Sequence, residues 1–288
     1  MCRAKSLTAA QTIQVHSMPE LPEVETTKRG IASHVTGKII KQVIIRESRM
    51  RWPIPNDLPQ LLQKHTLRSV SRRAKYLLFE LDHGFFMLHL GMSGSLRIVD
   101  SQTPLQKHDH VDFCFNQKTI LRFNDPRRFG SVLWLGKTPF EHALLSALGP
   151  EPFDERFTGD YLFKQSRKKK LAAKSFIMDN HTVVGVGNIY ANEALFMSGV
   201  RPGRAAGRLS KAQCDKLAAA IVKVLGASIE MGGTTLRDFV GGDGKPGYFQ
   251  QTLRVYDRAG KACRQCGTSI KLTRMGQRST YYCPQCQH

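Results

Sequence analysis

The chain has 288 residues and carries 43 Lys and Arg against 23 Asp and Glu, a formal net charge of +20. That length suffices for two domains with sizeable cores, and the basic excess points to a polyanionic partner such as nucleic acid. No stretch approaches the roughly twenty consecutive apolar residues of a membrane-spanning helix, so a membrane protein of that type is excluded.

Residues 1–17 hold Arg3 and Lys5, no acid and no long apolar run, which does not fit a secretory signal. The expectation is an upstream start assigned in error, or a tail removed in the cell, with the active form beginning at Pro19. The next stretch is the most informative one: Met18-Pro19-Glu20-Leu21-Pro22-Glu23-Val24-Glu25-Thr26. Within a chain, the nitrogen of Pro19 is an amide and has no basicity. At a free N-terminus it is a secondary amine flanked by carboxylates. An α-amino group titrates near about 8, so a usable fraction is unprotonated at neutral pH and can attack a sugar carbon to form an iminium. The same residues also read as an ordinary helix start, with proline in the first turn and acids at its positive end.

Residues 20–34 are expected to form a helix that buries Val24 and Ile31. A β-rich region follows, with strand composition at 38–47, 66–81, 85–99, 111–115, 120–123 and 131–135, separated by Gly and Asn-Asp-Pro punctuation. Several short strands in succession suggest a sandwich or barrel. The β signal stops at Leu148-Gly149-Pro150-Glu151-Pro152, the expected hinge. Beyond it, helices are expected over 158–180, 188–199 and 210–231, the last with Ser210 as N-cap and Gly232-Gly233 as its end. Residues 241–247 are too Gly-rich to hold one shape unaided and read as a mobile loop.

Four of the seven cysteines fall at Cys263-x2-Cys266-x16-Cys283-x2-Cys286. Two C-x-x-C knuckles at this separation make a tetrahedral four-cysteine zinc site, with a β-hairpin between them carrying Lys271, Arg274 and Arg278. Four thiolates leave no open position, so the Zn2+ is structural, one ion per chain. Clustered cysteines also suit a reducing compartment better than a disulfide framework. Basic clusters occur at Arg72-Arg73-Ala74-Lys75, Arg127-Arg128 and 167–170. Lys75 borders an apolar strand, which should fix its position. Gly185-Val186-Gly187-Asn188 opens a helix and reads as a phosphate cradle of backbone N–H groups, a weak signal by itself. Two turns, 89–94 and 124–130, set Met92 between glycines and Arg127 and Phe129 on a loop. Ordinary turns with core side chains explain these; so does a base-flipping enzyme, in which apolar wedges fill the emptied stack and an arginine bonds the orphaned base.

The order and spacing of PELPEVET, RRAKYLL, HLGMSGSLR, KHDHVD, NDPRRFG, MDN…VVGVGNIYA, GGTTL-x-DF, DGKPGYF and the finger cysteines resemble bacterial formamidopyrimidine-DNA glycosylases from residue 18 to residue 288. Leu21 and the Met-Arg-Phe set favour this oxidised-purine branch over the related endonuclease VIII group. The resemblance implies an α+β multidomain fold: an N-terminal catalytic β-sandwich over 18–148, a helix–two-turn–helix DNA-binding domain over 149–250 and a four-cysteine zinc finger over 251–288. It implies base-excision repair of double-stranded DNA containing an oxidised purine or an abasic site, by a monomer in the bacterial cytoplasm, associated with the nucleoid. Pro19 is implied as the Schiff-base nucleophile, Glu20 as the proton donor, Lys75 as the acid of β-elimination and Arg278 as the group serving δ-elimination. His108, Arg127, Lys169 and Asn188 are implied as DNA contacts, and Met92, Arg127 and Phe129 as the void-filling trio. The segment 241–248 is implied as the loop that closes over the extruded base. Two rival classes fit charge and finger alone: a non-catalytic DNA-binding protein and a general basic RNA binder.

Overall fold

The computed structural model describes residues 19–233 and 252–288. Helix α1 (Leu21–Val35) starts at Glu20, where the Glu23 carboxylate accepts the Glu20 backbone N–H at 3.0 Å, and it buries Val24 and Ile31 as expected. Strand β1 (Gln42–Ile45) is shorter than the apolar run 38–47 suggested. The reason is a change of partner. Ile40 N–H donates to His65 O and Leu67 N–H to Lys38 O, whereas Lys41 N–H donates to Cys114 O, so the segment crosses from one sheet to the other.

A short helix α2 (Leu58–Leu62), which the composition did not announce, buries Leu58 and Leu62. Then come β2 (Leu67–Arg73), β3 (Tyr76–Leu81), β4 (Gly84–His89), β5 (Ser95–Val99), β6 (Asp109–Asn116), β7 (Thr119–Asn124) and β8 (Ser131–Gly136). They form two four-stranded antiparallel sheets, in the orders β1-β6-β7-β5 and β2-β3-β4-β8. The sheets enclose a core that includes stacked Phe79 and Phe86, with Phe113, Leu121 and Phe123. This is the anticipated sandwich.

A connector holding α3 (Ala143–Ser146) leads to the helical part. The single helix expected over 158–180 is two, α4 (Gly159–Ser166) and α5 (Ala173–Met178). Arg167 makes the break: its guanidinium lies 4.0 Å from the Phe163 ring centroid and donates to Phe163 O and Leu209 O. Lys168 then takes a left-handed backbone, φ 60°. Helices α6 (Asn188–Met197) and α7 (Lys211–Glu230) follow, α7 with the expected Ser210 capping box and with Gly232 and Gly233 both at positive φ beyond its end. Strands β9 (Lys271–Met275) and β10 (Arg278–Tyr282) form the hairpin between the cysteine pairs. Its turn, Gly276-Gln277, has φ of 52° and 62°, as a tight primed hairpin turn requires.

The hairpin module shares one continuous core with the helices, through Val255, Tyr256, Ile270 and Tyr281 against Tyr190, Leu195 and Phe196. Helix α1 touches both β2 of the sandwich and α7 of the helical part, so the N-terminal segment sits at their seam. Among the described residues no helix is long and apolar enough to cross a membrane.

Candidate active site and nucleic-acid cleft

The seam opens into a cavity of about 720 Å³ whose lining includes Glu20, Lys75, Met92, Asn188, Tyr256 and Arg278. Four separate parts of the chain supply the charged groups, one of them Arg51 from the segment before α2. Glu20 comes from the start of α1, Lys75 from the β2–β3 turn and Arg278 from the first residue of β10. Pro19, immediately before Glu20, is buried.

Glu20 is 2% exposed, and its carboxylate is seated on the N-terminus of α6 rather than on its own helix. It accepts the backbone N–H of Gly187 at 2.7 Å and of Ile189 at 2.8 Å. The helix start that read as a phosphate cradle is thus occupied by a carboxylate from the chain itself, for the same reason of dipole and unsatisfied donors. Gly187 is required by this approach, since a Cβ there would lie 2.2 Å from Glu20 Cδ. Gly185, at φ +82°, lies against Leu21, where a Cβ would come within 2.5 Å. Burial pushes the Glu20 carboxyl up to about 7; Lys75 and the two N–H donors oppose the rise and Glu23 adds to it. Burial likewise pushes the Lys75 ammonium below its ordinary value, with Arg278 adding to the fall and Glu20 opposing it. His89, another lining residue, is pushed down to about 4 by burial and by Lys75 and Arg51, so it is neutral at physiological pH. An acid near neutrality faces an amine with a lowered pKa, the arrangement general acid–base chemistry needs.

The Lys75 turn is held from outside the sandwich. Ala74, at φ 54°, donates its N–H to Glu151 Oε1 at 2.7 Å, and Arg72 and Arg73 reach the same carboxylate at 2.8 and 3.0 Å. Arg72 also pairs with Glu25. In the basic run 72–75, Arg72 and Arg73 are therefore engaged in internal pairing, and Lys75 is left to line the cavity.

Met92, Arg127 and Phe129 share a second hollow of about 700 Å³ that adjoins the first through His89, Met92 and Arg51. Arg127 Cζ lies 4.9 Å over the Phe129 ring, which is 43% exposed. The two loops are fastened by Asp125, fully buried, which accepts from Ser93 Oγ at 2.9 Å and Gly130 N–H at 2.8 Å. Gly91, at φ +68°, admits the close approach, because a Cβ there would sit 2.4 Å from Gly130 N. His108, half-buried at φ 74°, stands next to this wedge through the Asp125 N–H to His108 O bond. Lys169 is exposed on the α4–α5 connection and lines neither hollow.

The finger is docked by buried polar side chains that the sequence did not single out. Lys174 donates to Ser279 O at 2.8 Å and Thr280 Oγ1 at 2.7 Å, and burial together with Arg278 pushes its ammonium down to about 7. Asn192 accepts Tyr281 N–H, and Glu193 accepts the N–H groups of Arg254, Val255 and Tyr256. No spacing rule reveals such residues; a charged side chain inside an apolar helix is the only hint.

The four cysteine sulfurs lie within 4.8 Å of one another, with Cys263–Cys286 at 3.9 Å and Cys266–Cys283 at 3.5 Å. A tetrahedron with Zn–S bonds of ~2.3 Å has edges of ~3.8 Å. The donor set fits one structural Zn2+ held by Cys263, Cys266, Cys283 and Cys286.

A β-sandwich and a helical module thus meet at a buried acid, and a four-cysteine finger brings an arginine into the same cleft. The comparisons agree with that architecture. The formamidopyrimidine-DNA glycosylase N-terminal domain matches residues 18–132, the H2TH domain of the same enzymes 148–240, and the zinc finger found in FPG and IleRS 260–288. Over 270 residues, 94% of this chain and 100% of each relative, it is 60% identical to the formamidopyrimidine-DNA glycosylase of Thioalkalivibrio sulfidiphilus and 58% identical to that of Alcanivorax borkumensis. A Lactococcus lactis FPG mutant solved with Fapy-dG-containing DNA superimposes with a TM-score of 0.88 at 30% identity, covering 94% of this chain and 100% of that one. MutM (FPG) from Thermus thermophilus does so at 0.85 and 36%, covering 93% and 98%. The chain belongs to the formamidopyrimidine-DNA glycosylase family.

Proposed function

We propose that Pro19, Glu20, Lys75 and Arg278 are the catalytic set with which this DNA glycosylase and AP lyase removes oxidised purines, 8-oxoguanine and formamidopyrimidines, and then cuts the strand. In this reading the active form begins at Pro19, whose free amine attacks the sugar C1′. The bond from C1′ to the base breaks with its electron pair leaving on the base, which Glu20 protonates; Glu20 then takes the proton that the Pro19 nitrogen sheds and passes it to the ring oxygen as the sugar ring opens to the iminium. The C1′ iminium acidifies the C2′ proton. Its removal drives β-elimination at C3′, with Lys75 as the acid that protonates the departing phosphate oxygen and as a phosphate contact. Arg278 grips phosphate and serves the δ-elimination at C5′.

The observation that carries this reading is the Glu20 carboxylate, buried at the seam and raised to about 7. A carboxyl of ordinary acidity holds almost no proton at pH 7 and could not serve. His108, Arg127, Lys169 and Asn188 are assigned to DNA contacts, and Met92, Arg127 and Phe129 to filling the place of the extruded nucleotide. The divisions 1–17, 18–148, 149–250 and 251–288 remain our assignment of dispensable tail, catalytic sandwich, helical domain and finger. The closing loop assigned to 241–248 lies outside the described residues. The chain would act as a monomer in the bacterial cytoplasm, associated with the nucleoid. Bound Zn2+ supplies a structural crosslink that fixes the hairpin bearing Arg278.

The test is borohydride trapping with 8-oxoguanine duplex, on the full chain and on a form starting at Pro19. A covalent adduct from the Pro19 form alone supports the assignment. An adduct from a full chain shown intact by mass spectrometry refutes it.

A further inference from the structure

At the far end of β3 from the Lys75 turn, about 20 Å away at ~3.3 Å per residue, three potential metal ligands converge. Asp82 and His83 form the turn of the β3–β4 hairpin, whose last pair is Leu81 with Gly84. His65 comes from the segment just before β2. Asp82 Oδ1 lies 2.7 Å from His65 Nδ1 and 3.1 Å from His83 Nδ1, and all three ligand atoms fall within 4.8 Å of one another. The two imidazoles stack with centroids 3.7 Å apart, and His83 stacks in turn on Trp134 at 4.9 Å. Gly84 makes that second stack possible, since a Cβ there would meet Trp134 Cζ2 at 2.7 Å. Each ring is thus packed on at least one face while its edge stays open to solvent.

From this geometry we propose a second metal site, distinct from the cysteine site, in which His65 Nδ1, Asp82 Oδ1 and His83 Nδ1 bind one divalent transition-metal ion such as Zn2+ or Ni2+. Bonds of ~2.1 Å to nitrogen and oxygen place neighbouring donors ~3.0 Å apart at a right angle and ~3.4 Å apart at the tetrahedral angle. The Asp82 separations of 2.7 and 3.1 Å need only a fraction of an ångström of opening, while the two stacked rings, 28° apart in plane, must tilt away from each other for both Nδ1 lone pairs to meet one ion. Two imidazoles and one carboxylate are a donor set for Zn2+, Ni2+ or Cu2+ rather than for Mg2+ or Ca2+. The side chains of His65, Asp82 and His83 are 34%, 35% and 31% exposed, so water can complete the coordination and the protons on the ring nitrogens can leave to solvent. The ion would tie the entry of β2 to the β3–β4 hairpin, remote from the cavity that holds Glu20.

Trp134, one of only two tryptophans, is a built-in reporter. The experiment is a Ni2+ titration of the full-length zinc-loaded protein, read by tryptophan fluorescence and by equilibrium dialysis. The expected result is one Ni2+ bound beyond the finger zinc, with quenching that disappears in Trp134→Phe while binding persists. His65→Ala and Asp82→Asn are each expected to weaken that binding ~10-fold or more, with excision of 8-oxoguanine unchanged. Quenching and stoichiometry unaltered by both substitutions, or no Ni2+ bound beyond the zinc, would overturn the site and leave the three residues as a hydrogen-bonded cluster only.

Discussion

Gly187→Ala is the sharpest probe of the active-site geometry, because it adds one carbon and no charge. The new Cβ would lie 2.2 Å from Glu20 Cδ and 2.5 Å from Oε1. Carbon atoms in contact rest ~3.5 Å apart, so the carboxyl must retreat by about 1.3 Å or the start of α6 must move by as much. Either movement opens the 2.7 and 2.8 Å bonds from Gly187 and Ile189. A displacement of ~1 Å in a catalytic group costs about 100-fold in rate, equal to about 2.7 kcal/mol of barrier. Overpacking adds about 1–3 kcal/mol of lost stability. The assay is single-turnover excision from an 8-oxoguanine duplex, with binding to an uncleavable abasic-analogue duplex measured beside it. The expected outcome is excision slowed about 100-fold with binding within a few-fold of wild type. Excision at the wild-type rate in a stably folded Gly187→Ala protein would falsify the claim that the α6 N-terminus positions the proton donor.

Other consequences are equally open to measurement. Glu20 must hold its proton to act as an acid, and the protonated form prevails below its folded pKa of about 7, so single-turnover base release is expected to decline as pH rises through that value; Glu20→Gln abolishes excision while DNA binding is kept. Glu151→Ala leaves the Ala74 N–H and two arginines without their shared acceptor, a loss of about 2 kcal/mol in urea unfolding, and strand cleavage at a preformed abasic site falls because Lys75 loses its fixed turn. Removing zinc with a chelator withdraws on the order of 10 kcal/mol of folding free energy from the finger, so metal-free protein is expected to lose DNA binding by gel shift and to regain it when Zn2+ is restored.

What the sequence revealed followed from local chemistry. The four-cysteine site, the Ser210-capped helix and the helix burying Val24 and Ile31 are each written in residues close together along the chain. The sandwich was legible as strand composition, yet the switch of sheets near Ile40 was not, because it depends on partners at 65–67 and 114. The helix break at Arg167 was hidden for a similar reason: one of its acceptors is Leu209 O, far along the chain. The candidate site divides the same way. Motifs pointed to Glu20, Lys75, Met92, Asn188 and Arg278, which one cavity gathers. They did not point to Glu151, Asp125, Lys174 or Glu193, whose partners lie on other elements. Nor did they show that the acceptor waiting at Gly187 is Glu20 itself.

That last pairing joins the two halves of the molecule chemically as well as mechanically. Glu20 is carried by the segment that leads into the sandwich, but its raised pKa comes from burial in the seam, a rise that the N–H donors of α6 partly oppose. Without that burial a carboxyl is ionised at neutral pH. In the proposed mechanism, proton donation by Glu20 is therefore a property of the assembled seam rather than of either half.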